Sequence, residues 1–130
     1  MRRELKDRIR SFGYALEGIV YLIKSQHNAW IHLIITVAII GVGFWLGISR
    51  SEWAIITLAM LGVWMGAALT SAVAALVDMV MPEYHPLAKI AKDVAAGGVL
   101  LSALAAAIVG FLILGPPLWA VISPYLFIGG

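Results

Sequence analysis

The sequence predicts an all-α integral membrane protein, with an N-terminal amphipathic surface helix followed by three transmembrane helices. Composition points there first: of 130 residues 62% are hydrophobic and 12% charged, whereas a soluble domain carries roughly a quarter charged residues. Mean hydropathy is +0.98. Three apolar runs, at residues 29–48, 53–81 and 94–114, each reach the length of about 20 residues that a helix needs to cross a bilayer core.

Taken in order, residues 1–28 are expected to form a cytoplasmic interfacial helix. Leu5, Ile9, Phe12, Leu16, Ile19 and Ile23 recur at spacings of four and three, one face of a helix. Lys6, Asp7, Arg8, Arg10 and Glu17 lie between them. Such a helix rests apolar side down, with its basic residues near anionic headgroups. The plainer alternative is a soluble helix packed on a partner protein. Residues 29–114 hold the three spans, the second longer than the bilayer requires and so expected to tilt or extend past it. After the third, Gly115-Pro116-Pro117 is expected to break the helix, because proline has no amide hydrogen to donate. Residues 115–130 then form an apolar extension at the outer interface or against a partner, with Trp119, Tyr125 and Phe127 as anchors. The first run starts too late and is too long for a secretory signal.

Basic residues set the expected orientation. Arg2, Arg3, Lys6, Arg8, Arg10 and Lys24 precede the first run, Arg50 alone lies between the first two, and Lys89 and Lys92 lie between the last two. The positive-inside rule places the N-terminus in the cytoplasm and the C-terminus outside. No basic stripe continues onto a folded surface, so nucleic acid is not an expected partner. The absence of cysteine excludes disulfide scaffolds, zinc ribbons and thiol catalysis.

Gly62, Gly66, Thr70 and Ala74 recur four apart in the second run, as do Gly98, Ser102, Ala106 and Gly110 in the third. Small residues at that spacing let helix backbones approach closely in lipid. Three helices enclose little interior, so a homo-oligomer or a place among other membrane subunits is expected. Packing alone explains these stripes. His27 and His32 flank the start of the first run, where neutral imidazole is able to ligate a haem or chlorophyll metal. No second pair of histidines supports a haem clamp, and interfacial polar histidines are the simpler reading. Neither a phosphate-binding glycine loop nor a serine-hydrolase elbow is present.

Two stretches are more specific: SFGYALEGI at residues 11–19 and VDMVMPEYHPLAKIAKDVAAGGVLL at 77–101, with EYHPLAKIAKD the longest part of the match. They resemble the small bacterial diacylglycerol and undecaprenol kinases over about residues 8–114. The resemblance implies an amphipathic surface helix, three transmembrane helices, a homotrimer and a bacterial cytoplasmic membrane. It also implies an ATP- and Mg-dependent lipid kinase activity.

The departures from that pattern carry the functional reading. The family places a Glu where this chain has Gln26, two residues before Asn28. In the second span the resemblance implies a general base at Ala67, an Asn at Thr70 and a metal-binding Glu at Ala74. Magnesium is a hard cation normally held through carboxylates as well as phosphates, and phosphoryl transfer depends on positioning and neutralising charge. Gln26 supplies a neutral oxygen, and Ala67 and Ala74 supply none. Losing a general base alone removes about 10²- to 10⁴-fold in rate.

No catalytic or metal-binding residue is therefore expected, and no cofactor. Tyr14, Asp78, Lys92 and Asp93 match family positions near the nucleotide and make up a vestigial site, with Glu83, Tyr84 and His85 in the adjoining loop. An intramembrane acid is a functional candidate by default, but Asp78 at a helix end is more simply read as reaching interfacial water or a lysine. The expected function is a catalytically silent kinase-like protein, a structural or accessory subunit of a membrane complex. The competing expectation is an active diacylglycerol or undecaprenol kinase using ATP and Mg, in which Glu17, Asp78 and Asp93 hold the metal by a rearranged route. An engineered inactive variant of such a kinase would read the same way.

Overall fold

The computed structural model describes the backbone of residues 2–25 and 27–126, and the side chains of these apart from His27 and Asn28. Four helices follow one another: α1 (Arg2–Ser25), α2 (His27–Leu46), α3 (Arg50–Val80) and α4 (Pro86–Leu126). α2, α3 and α4 are long and apolar enough to cross a membrane. No strand occurs among the described residues. The protein is an all-helical integral membrane protein.

α1 carries the amphipathic stripe, and Leu5, Ile9, Phe12, Leu16 and Ile19 are all exposed along it. Only near its end does α1 touch the rest of the chain closely, where Leu22 is 5% exposed. The other buried apolar residues among those described are Ala29, Ile56 and Val63. Most large apolar side chains of α2, α3 and α4 face outward instead, as in a protein whose solvent is hydrocarbon.

α2 and α3 are joined by a turn written into its own few residues. Gly47 adopts φ +65°, and the Gly47 and Ile48 amides bond to the Phe44 and Gly43 carbonyls, each at 3.3 Å. That pattern closes a helix end and favours glycine, which has no Cβ to crowd the left-handed conformation. α3 then opens with a reciprocal cap: the Glu52 amide donates to Ser49 Oγ at 3.2 Å and the Ser49 amide to Glu52 Oε1 at 3.0 Å. Across the turn Trp53 stacks on Phe44 at 4.8 Å, and its indole lies so near Gly43 that an added Cβ would sit 2.7 Å from it.

α3 and α4 run antiparallel and share the largest interface in the chain. Three residues of the expected small-residue stripes, Gly66, Thr70 and Ser102, meet there. A Cβ on Gly66 would meet Ser102 Oγ at 3.5 Å and Val99 Cα at 3.7 Å, and the Thr70 hydroxyl reaches the Ala95 carbonyl at 3.1 Å. Gly62, Gly98 and Gly110 have nothing within 4 Å of an added Cβ and lie on open faces.

Two expectations need correction. The stretch 82–93 is mostly helix: Pro86 begins α4 at a position where its missing amide hydrogen costs nothing, leaving a short connection after Val80. Gly115-Pro116-Pro117 does not break the helix, because α4 continues through Pro116, Pro117 and Pro124 to Leu126. A proline releases one carbonyl and strains the preceding turn, but every other amide keeps its helical partner. Gln26 and residues 127–130, Phe127 among them, lie outside the described residues.

Replacing Gly47 by Ala is expected to lower stability by about 1–2 kcal/mol, from left-handed backbone strain. Ser49→Ala is expected to cost about 1 kcal/mol through the lost cap, and Ser51→Ala almost nothing. Midpoints of unfolding by denaturing detergent in mixed micelles check the order.

Candidate functional site

Two cavities bring the singled-out residues together. The inner one, about 190 Å³, lies where all four helices meet. Leu22 from α1, Ala29 and His32 from α2, Ala67, Thr70 and Ser71 from α3, and Ala96 and Val99 from α4 line it. Its two hydroxyls are turned back onto backbone. Thr70 Oγ1 lies 2.9 Å from the Gly66 carbonyl and 3.1 Å from the Ala95 carbonyl, and its single proton serves one at a time. The Ser71 hydroxyl donates to the Ala67 carbonyl at 3.0 Å. Among the described residues no carboxylate lines this space.

The outer cavity, about 360 Å³, lies at the α3–α4 connection. Asp78, Glu83, Tyr84, His85, Lys89, Lys92 and Asp93 are among its lining residues. Sequence proximity places Lys89 and Asp93 one turn apart, and their side chains meet at 2.6 Å. Lys92 reaches across to Asp78 at 2.5 Å, tying α4 to the last turns of α3. Both pairs are well exposed, so each is worth only about 0–1 kcal/mol. Their effect is on charge: three carboxylates face two ammonium groups, and both ammonium groups are engaged. His85 is not free either, because its Nδ1 accepts the Leu87 amide at 3.1 Å and caps α4.

Asp78, Lys92 and Asp93 thus share one cavity, whereas Tyr14 stands on α1, 67% exposed, and is not among the lining residues. Ala67 and Thr70 line the inner cavity, Ala74 lines neither, and Gln26 lies outside the described residues. His32 meets Trp64 edge to face at 6.1 Å, and the Trp64 indole donates to Thr36 Oγ1 at 3.0 Å. Sequence reasoning missed Thr36 and Trp64, since nothing local says that a Thr on α2 and a Trp on α3 face each other. The His85 cap was signalled by the proline that follows it.

These features define a polytopic helical membrane protein with a polar loop site above a four-helix junction. Comparison with known proteins gives the family. The sequence model for prokaryotic diacylglycerol kinase matches residues 13–114. The chain is 37% identical over 117 residues to an undecaprenol kinase of Bacillus subtilis, covering 90% of this chain and 95% of that protein. It is 42% identical over 109 residues to a diacylglycerol kinase of Synechocystis, covering 83% of this chain but only 62% of that longer protein. It is also 35% identical over 89 residues to a diacylglycerol kinase of Pseudomonas aeruginosa, covering 68% and 72% respectively. The chain belongs to the prokaryotic diacylglycerol kinase family, a family of bacterial membrane proteins.

The described residues of a single chain gather no ligand set for a magnesium ion. The inner cavity has no carboxylate to hold the cation, and no three His, Asp or Glu side chains converge among the described residues. Glu17, Asp78 and Asp93 are therefore not gathered into one ligand set. A polyphosphate entering the outer cavity would share Lys92 with Asp78 and Lys89 with Asp93.

Thr70→Val keeps the volume of the side chain and removes the hydroxyl between α3 and α4. It is expected to destabilise the chain by about 0.5–1.5 kcal/mol, while Ser71→Ala, whose bond stays within α3, changes little. Unfolding midpoints of the two variants in the same micelles test this difference.

Proposed function

We propose that this chain is a catalytically silent diacylglycerol or undecaprenol kinase-like protein that serves as a structural or accessory subunit in the bacterial cytoplasmic membrane. One observation carries the reading. Where four helices meet, the positions that family resemblance assigns to a general base and an asparagine are Ala67 and Thr70, and the cavity they line has no carboxylate among its described residues. A hydroxyl substrate placed there meets no carboxylate to take its proton, and the one imidazole among the lining residues, His32, is turned edge to face against Trp64. Electrostatic stabilisation is usually the largest catalytic contribution, and here Mg²⁺ has no anionic side chain to hold it. The vestigial loop site at Asp78, Lys92 and Asp93 binds no nucleotide in this reading, its lysines being neutralised from within.

The scaffold persists because it packs. The Gly66–Thr70 seam is intact, and the open small faces at Gly62, Gly98 and Gly110 offer surface to further helices, in a homo-oligomer or another subunit. The exposed apolar stripe of α1, with Arg2, Arg3, Lys6, Arg8 and Arg10 on the same helix, suits a cytoplasmic leaflet rich in anionic headgroups. On that reading the N-terminus is cytoplasmic and the far end of α4 lies on the outer side.

A second reading rests on the relatives, three of which are named as kinases: an active diacylglycerol or undecaprenol kinase that draws ATP and Mg into a rearranged site. One assay separates the two. The purified chain is offered ATP, Mg²⁺ and either diacylglycerol or undecaprenol, beside a variant carrying Gln26→Glu, Ala67→Glu, Thr70→Asn and Ala74→Glu. Phosphorylated lipid is expected from the restored variant only, with the chain itself at least about 10²- to 10⁴-fold slower. Robust turnover by the unaltered chain, abolished by Asp78→Asn, would establish the kinase reading instead.

A further inference from the structure

The last part of α4 lies beyond the residues that the family model matches, 13–114, and beyond the helices that flank it. From Val94 to Leu126 α4 carries no charged side chain. At about 1.5 Å per residue this stretch is about 50 Å long, against a hydrocarbon core of about 30 Å. Absorbing the surplus by tilt alone requires more than about 50°, outside the roughly 0–40° that transmembrane helices show.

The α3–α4 register locates the surplus. Asp78 meets Lys92, Thr70 meets Ala95, and Gly66 meets Val99 and Ser102. Continued at equal rise, this antiparallel register sets Arg50, the first residue of α3, at about the level of Pro116. Arg50 and Glu52 mark the water boundary on that side of the membrane. A hollow of about 610 Å³ that straddles this level, from Gly110 to Ile122, is lined by α4 alone, and past it Trp119, Val121, Ile122, Tyr125 and Leu126 are exposed. An uncharged helix cannot stand in water there without hydrating all of this apolar surface.

We propose that residues 118–126 form an interfacial anchor: α4 bends at Gly115-Pro116-Pro117 and its end lies along the headgroup layer of the leaflet opposite α1. Pro116 and Pro117 leave the Leu112 and Ile113 carbonyls without helical donors, and proline is where sharp helix bends occur. At the boundary water satisfies those carbonyls. Trp119 and Tyr125 are the residue types that favour the boundary between lipid and water. The occupant of this surface is lipid rather than a charged partner, since the segment has no charge to pair. Its attachment is accordingly insensitive to salt, unlike that of the basic α1.

The chain has no cysteine, so single-cysteine variants carry one nitroxide each. Trp119→Cys, Ile122→Cys and Tyr125→Cys are compared in phosphatidylcholine vesicles with Ser51→Cys at the α2–α3 turn and Leu104→Cys within the span. Collisions with oxygen and with a water-soluble nickel chelate give the depth of each label. The three anchor labels are expected within about 5–10 Å of the headgroup boundary, unchanged by added salt, with Leu104→Cys far deeper. Nickel collision equal to that of a free label in water would overturn the proposal. So would protection from both reagents with broadening between labelled copies, the mark of a second chain covering the segment. Adding Pro116→Ala and Pro117→Ala is expected to straighten α4 and raise nickel collision at Tyr125→Cys several-fold, and no change there would rule out the bend.

Discussion

The close approach of α3 and α4 at Gly66 and Thr70 is the constraint on which the other parts depend. With no side chain at Gly66, the two backbones come near enough for the Thr70 hydroxyl to reach the Ala95 carbonyl, and for Ser102 and Val99 to fill the space. Lipid tails are as apolar as the helices, so dispersion contacts and a few hydrogen bonds replace the hydrophobic drive of a soluble core. That seam fixes the antiparallel register. The register in turn brings Lys92 to Asp78 and shapes the loop cavity at one end, and it decides which α4 residues outrun α3 at the other. α2 is fastened on separately, by the Trp64 indole on Thr36 and by the tight turn at Gly47.

The substitutions in α3 fit this seam well. A carboxylate at position 67 would point into a space of about 190 Å³ shared by four helices, where an ionised group demands a partner or a cation. Alanine demands neither, and helices that need not enclose charge pack on shape alone. The junction can then be small, dry and self-satisfied, with Thr70 and Ser71 bonded to backbone.

Much of the architecture was legible because its determinants are local or periodic. The stripe from Leu5 to Ile23 spells an amphipathic helix, three apolar runs spell spans, and the four-residue spacing of small residues anticipated Gly66 and Thr70 in the seam. The prolines misled, because a missing amide removes one helical bond and leaves its neighbours free to continue the helix. Long-range pairings were out of reach: nothing near Asp78 names Lys92, and nothing near Thr36 names Trp64. The altered positions Ala67, Thr70 and Ala74 were visible only by resemblance, since alanine and threonine in a membrane helix draw no notice by themselves.

The α2–α3 turn has a consequence for how the chain is made. Its glycine closure, its reciprocal Ser49–Glu52 cap and the Phe44–Trp53 stack all lie within a dozen residues of one another, and none draws on α4. α2 and α3 can therefore pair as a helical hairpin as soon as both have left the ribosome. The tip between them is short, and its Arg50 and Glu52 offset each other's charge. α4, emerging last, then meets an α3 already tied to α2 by that turn, and the largest interface of the chain forms last.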